Sequence, residues 1–198
     1  MIVVLTLGGM NFGLADKMRR ALGGYATAEG RTRVPVKYPQ AASARSITEG
    51  AAKLDAAIRY WIERGNTVEV LAFSQGAEAC SEWMADHADK PDAPDPSELS
   101  FILLGNPRRR LGGAGKIGWN WKRLPRTPET QYRTNDISRL NDPWSNGDRW
   151  GTTPRSKLSM TLARFLGWDS DHGNYDNVNI DDCQIREVSR RTTYLVAP

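Results

Sequence analysis

Val68-Glu69-Val70-Leu71-Ala72-Phe73-Ser74-Gln75-Gly76-Ala77 decides how this chain folds. A largely apolar run reaches a serine with a small residue two positions to either side, Ala72 and Gly76, and then continues as a helix-forming segment. This is the pattern of a nucleophile elbow, in which a strand turns sharply into a helix and a strained backbone at the apex lifts the serine hydroxyl clear of the sheet. Strand and helix pass close together at the elbow, so the two flanking positions must be small. The pattern here is A-x-S-x-G, where the common form has glycine at both places.

The chain on either side of the elbow alternates short apolar runs with amphipathic segments. Met1 to Met10 reads as a first buried strand, Leu14 to Leu22 as a helix, and Arg33 to Tyr38 as a second strand broken by Pro35. Ser43 to Arg64 reads as a long helix with Ser43 as its N-cap, since Ile47, Ala51, Leu54, Ile58, Trp61 and Ile62 recur at three- and four-residue steps along one face. Gly65-Asn66 ends it. After the elbow, Gln75 to Ala88 forms a helix, and a Pro/Asp-rich loop from Lys90 to Ser97 leads into a strand over Leu99 to Leu104. Strands alternating with helices imply right-handed crossovers and a mostly parallel sheet covered on both faces. The expected architecture is a three-layer α/β/α sandwich with a mostly parallel central sheet, one domain over residues 1–198.

A serine hydroxyl is a weak nucleophile at neutral pH and needs a base within hydrogen-bond reach. Only two histidines are present, His87 and His172. His87 lies on the helix that starts at Ser74, and thirteen residues at about 1.5 Å each put it roughly 20 Å away. His172, in the polar segment Trp168-Asp169-Ser170-Asp171-His172-Gly173-Asn174-Tyr175, is therefore the expected base. The carboxylate that orients it should fall between serine and histidine in the chain. Asp136 is the expected acid, because Glu129 to Thr134 reads as a strand that would deliver it to the carboxyl edge of the sheet; Asp142, in Asn141-Asp142-Pro143-Trp144, is the alternative. Of the two backbone N–H groups needed to meet an oxyanion, one is expected from Gln75 and the other from the Gly8-Gly9-Met10 turn, at Met10 or, next, Gly9.

The chain has 198 residues, 39% of them hydrophobic, which is enough for one domain with a substantial core. The first ten residues are too short for a signal peptide and lack its basic leader, and no apolar run approaches the ~20 residues that span a bilayer. The expectation is a soluble protein made in the cytoplasm and released, if at all, by lysis or another route. Cys80 and Cys183 set no disulfide framework, and with two histidines far apart there is no metal-ligand spacing, so neither a metal nor a cofactor is expected. A net charge of +4 raises nucleic-acid binding, but no fold signature for it accompanies the charge and none is expected.

Residues 105–128 change character. The stretch is glycine-rich and free of Asp and Glu, and carries seven cations, Arg108, Arg109, Arg110, Lys116, Lys122, Arg123 and Arg126, with Trp119 and Trp121. It is expected to rim the cleft and dock on an anionic cell-envelope surface, since cations steer and flat aromatics stack.

Ala72-Phe73-Ser74-Gln75-Gly76-Ala77, followed some thirty residues on by Gly105-Asn106-Pro107, then Arg109 and Gly112-Gly113, resembles the cutinase-like α/β-hydrolases of mycobacteria and their phages, the PE-PPE-domain serine esterases and the lysin B enzymes. Tyr132 to Ile137 is similar to the acid-bearing segment of lysin B proteins, and His172 followed by Tyr175 resembles their histidine loop. The resemblance implies hydrolysis of lipid or mycolyl esters. Ala72, the arginine run and the lack of the paired disulfides of secreted cutinases depart from those families. The alternative expectation is a catalytically silent module of the same fold that binds an envelope or virion partner.

Overall fold

A computed structural model describes residues 1–11, 13–114, 116–117, 122–123, 125–147 and 171–198. Among the described residues, nine strands and three α-helical segments follow one another as β1 (Ile2–Leu7), α1 (Ala21–Gly24), β2 (Arg31–Pro35), α2 (Ala44–Ile62), β3 (Thr67–Phe73), α3 (Gln75–His87), β4 (Leu99–Leu104), β5 (Lys116–Ile117), β6 (Lys122–Arg123), β7 (Arg133–Arg139), β8 (Gln184–Ser189) and β9 (Thr192–Ala197). Seven strands form one sheet in the order β2-β1-β3-β4-β7-β9-β8, parallel throughout except for β8 against β9; β5 and β6 make a separate antiparallel pair. Strand order reverses at β1, with β2 on one side and β3 on the other. A crevice opens outside the carboxyl ends of strands at such a switch point.

Alternation along the strands sorts the core into two halves. Val3, Leu5 and Leu7 of β1, Val70 and Ala72 of β3, and Phe101 and Leu103 of β4 face α2 and α3, meeting Ile47, Leu54, Ile58, Cys80 and Trp83. Each fully buried Leu or Ile there contributes about 2 kcal/mol. Val4, Leu71, Ile102, Leu104 and Ile137 face the other way, onto Met18, Ala21, Leu22, Tyr175 and Val178. The Ser43 side chain accepts from Ser46 N–H and caps α2 as the sequence indicates, and Gly65 closes it at φ 73°. Where α2 meets α3, Gly50 lets the helices close up, for a Cβ there would lie 3.0 Å from that of Ala79.

The expected helix over Leu14 to Leu22 is not one helix. A 3₁₀ turn at Lys17–Arg19 and the single turn of α1 replace it, with Leu22, Gly23 and Gly24 all at positive φ. Tertiary contacts override helix propensity here, because Leu22 and Gly23 donate their backbone N–H groups to Tyr175 and Asp176 carbonyls. Strand β2 starts and ends earlier than its apolar pattern suggests, at Arg31 and Pro35. The C-terminal hairpin β8-β9 extends the sheet past β7 and was not visible in the helix–strand alternation. Among the described residues no helix is long and apolar enough to cross a membrane.

Candidate active site

Ser74 stands between β3 and α3 with φ 53° and ψ −116°, a conformation that side-chain-bearing residues rarely adopt. Gly76 makes the turn feasible. A Cβ at that position would lie 2.4 Å from the carbonyl oxygen of Leu7 in β1, so no side chain fits without displacing backbone. Ala72 is fully buried in the face under the helices, which is the small-residue requirement met from the strand side.

The histidine is brought to this serine across 98 residues, with Ser74 Oγ 2.8 Å from His172 Nε2. Its other nitrogen meets Asp142, at 2.9 Å from Oδ2 and 3.0 Å from Oδ1. Asp142 lies beyond the end of β7, at the carboxyl edge, where Asn141-Asp142-Pro143 turns the chain. Burial alone would raise its carboxyl, but the His172 charge and hydrogen bonds from His172, Tyr175 and Ser145 hold it below the usual carboxylate range. An ionised Asp142 fixes the proton on His172 Nδ1, leaving Nε2 free to accept from the Ser74 hydroxyl.

The sequence reading placed the acid at Asp136, and the geometry corrects it. β7 runs on to Arg139, so Asp136 sits in mid-strand, paired in register with Leu103 and Tyr194, and never reaches the edge. Its carboxylate accepts from Asn106 Nδ2 at 3.0 Å and lies 3.5 Å from Arg109. Asn106 also donates to Thr127 and accepts from Arg108 N–H, which explains what the asparagine of Gly105-Asn106-Pro107 does: it ties the exit of β4 to β7 and to the following loop. Gly105, at φ 54°, passes directly beneath His172 and Asp142, where a Cβ would come within 3.0 Å of Asp142 Oδ2 and 3.1 Å of His172.

Tyr175 is a member of the site that sequence reasoning met only as part of a resemblance. Its hydroxyl donates to Asp142 Oδ2 at 2.8 Å and accepts from Arg139 N–H at 3.0 Å. Three residues after His172, it shares the turn closed by Asn174 N–H on the Asp171 carbonyl. Phe73 and Trp144 flank the imidazole, with ring centroids 5.1 and 6.0 Å away. His87, as expected, is remote from this chemistry and stacks on Trp83.

The loop after β4 does not present the arginine surface expected of it. Arg108 and Arg109 are buried: Arg108 donates to the Pro125 carbonyl and lies 3.6 Å from Glu82, while Arg109 donates to the Leu195 carbonyl and pairs with Asp136. Arg110 is paired with Glu129 and Glu187. Buried Arg108 and Arg109 cannot therefore face an envelope as expected, whereas Arg110 is exposed but ion-paired. Arg126 binds the Arg109 and Gly113 carbonyls. Trp119 and Trp121 lie outside the described residues.

Two buried carboxyls give the fold a pH signature. Burial pushes Glu78 up to about 8, with Arg108 opposing and Glu82 adding to the rise, and pushes Asp136 up to about 6 against Arg109 and Asn106. Each folded value exceeds its ordinary one of 4.5 or 3.8, so between those limits the folded chain binds more protons than the unfolded. Stability must then fall as pH rises through 6 and 8. Thermal melts are expected to show a lower midpoint at pH 8.5 than at pH 6, and Glu78→Gln is expected to flatten the upper part of that slope.

A mostly parallel sheet with a serine elbow at its switch point and a Ser-His-Asp arrangement at its carboxyl edge is a cutinase-like α/β fold. It matches a cutinase-like protein from Cryptococcus with a TM-score of 0.58 at 16% identity, over 84% of this chain and 91% of that one. The chain belongs to the PE-PPE domain family, which it matches over residues 29–197. It is 44% identical over 171 residues to the esterase PE16 of Mycobacterium tuberculosis, covering 78% of this chain and 31% of that protein. It is 32% identical over 105 residues to the SL1278 acyltransferase Chp1 of the same organism, covering 51% and 25% respectively. The chain spans less than a third of the length of the curated relatives it matches.

Proposed function

We propose that this chain is a serine esterase acting on lipid or mycolyl esters through an acyl-enzyme. The observation that carries the reading is the continuous hydrogen-bonded line from Ser74 Oγ through both His172 nitrogens to a buried Asp142. Ser74 Oγ attacks the ester carbonyl carbon while its proton passes to His172 Nε2, and the carbonyl π electrons move onto oxygen as an oxyanion. Gln75 N–H, at the start of α3 where helix partial charge is positive, and Met10 N–H of the turn after β1 are the proposed donors to that oxygen. His172 then gives the proton to the leaving alcohol, and water, deprotonated by His172, releases the acid. Asp142 stays ionised and stabilises the imidazolium, with Tyr175 and the Trp144 and Ser145 N–H groups sharing its charge.

The small cavity between Met18, Phe73, Leu104 and Tyr175, with Lys17 and Asp176 on its wall, measures about 10 Å³, room for one water and not for an acyl chain, so acyl length is a matter for the assay. Similarity to an esterase supports ester hydrolysis, and similarity to an acyltransferase favours a second reading in which the acyl-enzyme is discharged by an alcohol instead of water. p-Nitrophenyl esters of graded chain length, assayed with and without an added alcohol, separate the two. Hydrolysis that is unaffected by the alcohol is expected. Release of p-nitrophenol that yields mainly the new ester would favour transfer, and no turnover with any ester would favour a silent binding module.

A further inference from the structure

The turn Gly8-Gly9-Met10 has two adjacent glycines, the residues that least constrain a backbone, at the place where an oxyanion donor must be held still. Neither has a positive φ; space is tight at both, more so at Gly9, which faces an aromatic ring and the nucleophile, than at Gly8, which faces the end of the Gln40 side chain. A Cβ on Gly9 would lie 3.0 Å from the Phe73 ring and 3.1 Å from the Ser74 Cβ, so the turn crosses directly over the nucleophile. A Cβ on Gly8 would meet the Gln40 amide nitrogen at 3.2 Å. Gln40 is itself held at φ 52°.

What fixes such a turn is Tyr38. Its hydroxyl donates to the Gly8 carbonyl at 2.5 Å, and its buried ring fits against α2 at Gly50, where a Cβ would come within 3.1 Å of it. Burial, with Cys80 and Glu78 nearby, raises the Tyr38 hydroxyl far above its ordinary range and keeps it a donor at any working pH. The peptide is trans, so its C=O and N–H point in opposite directions. Anchoring the Gly8 oxygen on Tyr38 therefore sets the plane of the Gly8-Gly9 peptide and with it the direction of the Gly9 N–H; the Met10 N–H, on the next peptide, follows through the Gly9 backbone, which packs against Phe73 and Ser74.

We propose that Tyr38 is a positioning residue for the oxyanion turn, its hydrogen bond to Gly8 holding the Gly9 and Met10 N–H groups where negative charge forms on the substrate oxygen. The inference rests on the esterase reading above and deepens it. Because the donors are needed in the transition state and not for substrate binding, loosening them should lower kcat and leave KM alone.

Tyr38→Phe keeps the ring and removes only the hydrogen bond. With p-nitrophenyl butyrate, kcat is expected to fall about tenfold or more with KM within about twofold; one whole oxyanion donor is worth roughly 10²- to 10³-fold. Inhibition by phenylboronic acid, which forms a tetrahedral adduct on the serine, should weaken by a similar factor while near-UV circular dichroism is unchanged. Gly50→Ala, which crowds the Tyr38 ring without deleting its hydroxyl, should shift kcat and boronate inhibition in the same direction and serves if Tyr38→Phe does not fold. A folded variant with wild-type kcat and boronate inhibition overturns this inference alone. A wild type that neither hydrolyses the ester nor binds the boronate overturns the esterase reading and this inference with it.

Discussion

Ser74→Ala is expected to lower ester hydrolysis by roughly 10³-fold or more while leaving the protein folded. The substitution deletes one oxygen, the one 2.8 Å from His172 Nε2, which carries the acyl group in the proposed mechanism. It also removes no backbone contact, because the Ser74 N–H bond to the Leu104 carbonyl and the Ser74 carbonyl bond to Glu78 N–H belong to the main chain. Alanine has the same Cβ and occupies the same φ 53° that serine does, so the backbone strain is unchanged and the melting midpoint should stay close to that of the wild type. Initial rates with p-nitrophenyl butyrate beside a thermal melt provide both numbers. Near-normal turnover by folded Ser74→Ala would place the nucleophile elsewhere.

Asp142→Asn is expected to cost on the order of 10⁴-fold in turnover. An amide next to His172 Nδ1 can donate as well as accept, so the imidazole is free to take the tautomer whose Nε2 carries the proton and cannot accept from Ser74. Asp136→Asn should behave in the opposite way. It leaves the His172 hydrogen bonds untouched, so turnover should stay within about threefold of wild type, yet it removes the carboxylate that faces buried Arg109. Leaving a buried guanidinium unpaired typically costs about 3 to 5 kcal/mol, so the melting temperature should drop sharply. Activity and stability therefore separate the two aspartates: one variant is folded and inactive, the other active and unstable. Equal losses of activity from both would mean that the Asn106-Asp136-Arg109 cluster sets the triad geometry as well as the fold.

The elbow was legible because its signal is steric and local. A strand, a serine and two small flanking residues appear within ten positions, and the reason for Gly76 is the Leu7 carbonyl that a Cβ would strike. The strands β1, β3 and β4 were legible for a similar reason, since fully buried parallel strands read as apolar runs, though their order in the sheet was not. The acid was not, because its assignment turned on where β7 ends. Thr134, Asp136 and Ser138 alternate with Asn135, Ile137 and Arg139, so β7 carries a polar face that composition alone assigns to solvent; here it is buried against the Asn106 and Arg109 side chains. The turn signal at Asn141-Asp142-Pro143 marked the strand's end, and following the strand to that signal would have placed Asp142 at the edge.

The arginines misled for a related reason. A run such as Arg108-Arg109-Arg110 reads as surface by default, because charged side chains are rarely buried without partners. Their partners lie far away in sequence, at Pro125, Asp136, Glu187 and Leu195, and no local pattern points to them. The short turns at Lys17–Arg19 and Ala21–Gly24 failed as a helix in the same manner, through backbone bonds to residues 175 and 176. What the sequence hid throughout is long-range polar pairing.

Labelling with a serine-directed fluorophosphonate, followed by mapping of the modified peptide, tests the central claim most directly. The geometry of Ser74, His172 and Asp142 requires one label per chain, on Ser74, absent from Ser74→Ala and formed far more slowly on folded Asp142→Asn than on folded Asp136→Asn. A folded wild-type chain that takes no label, or takes it on another residue, would contradict the account.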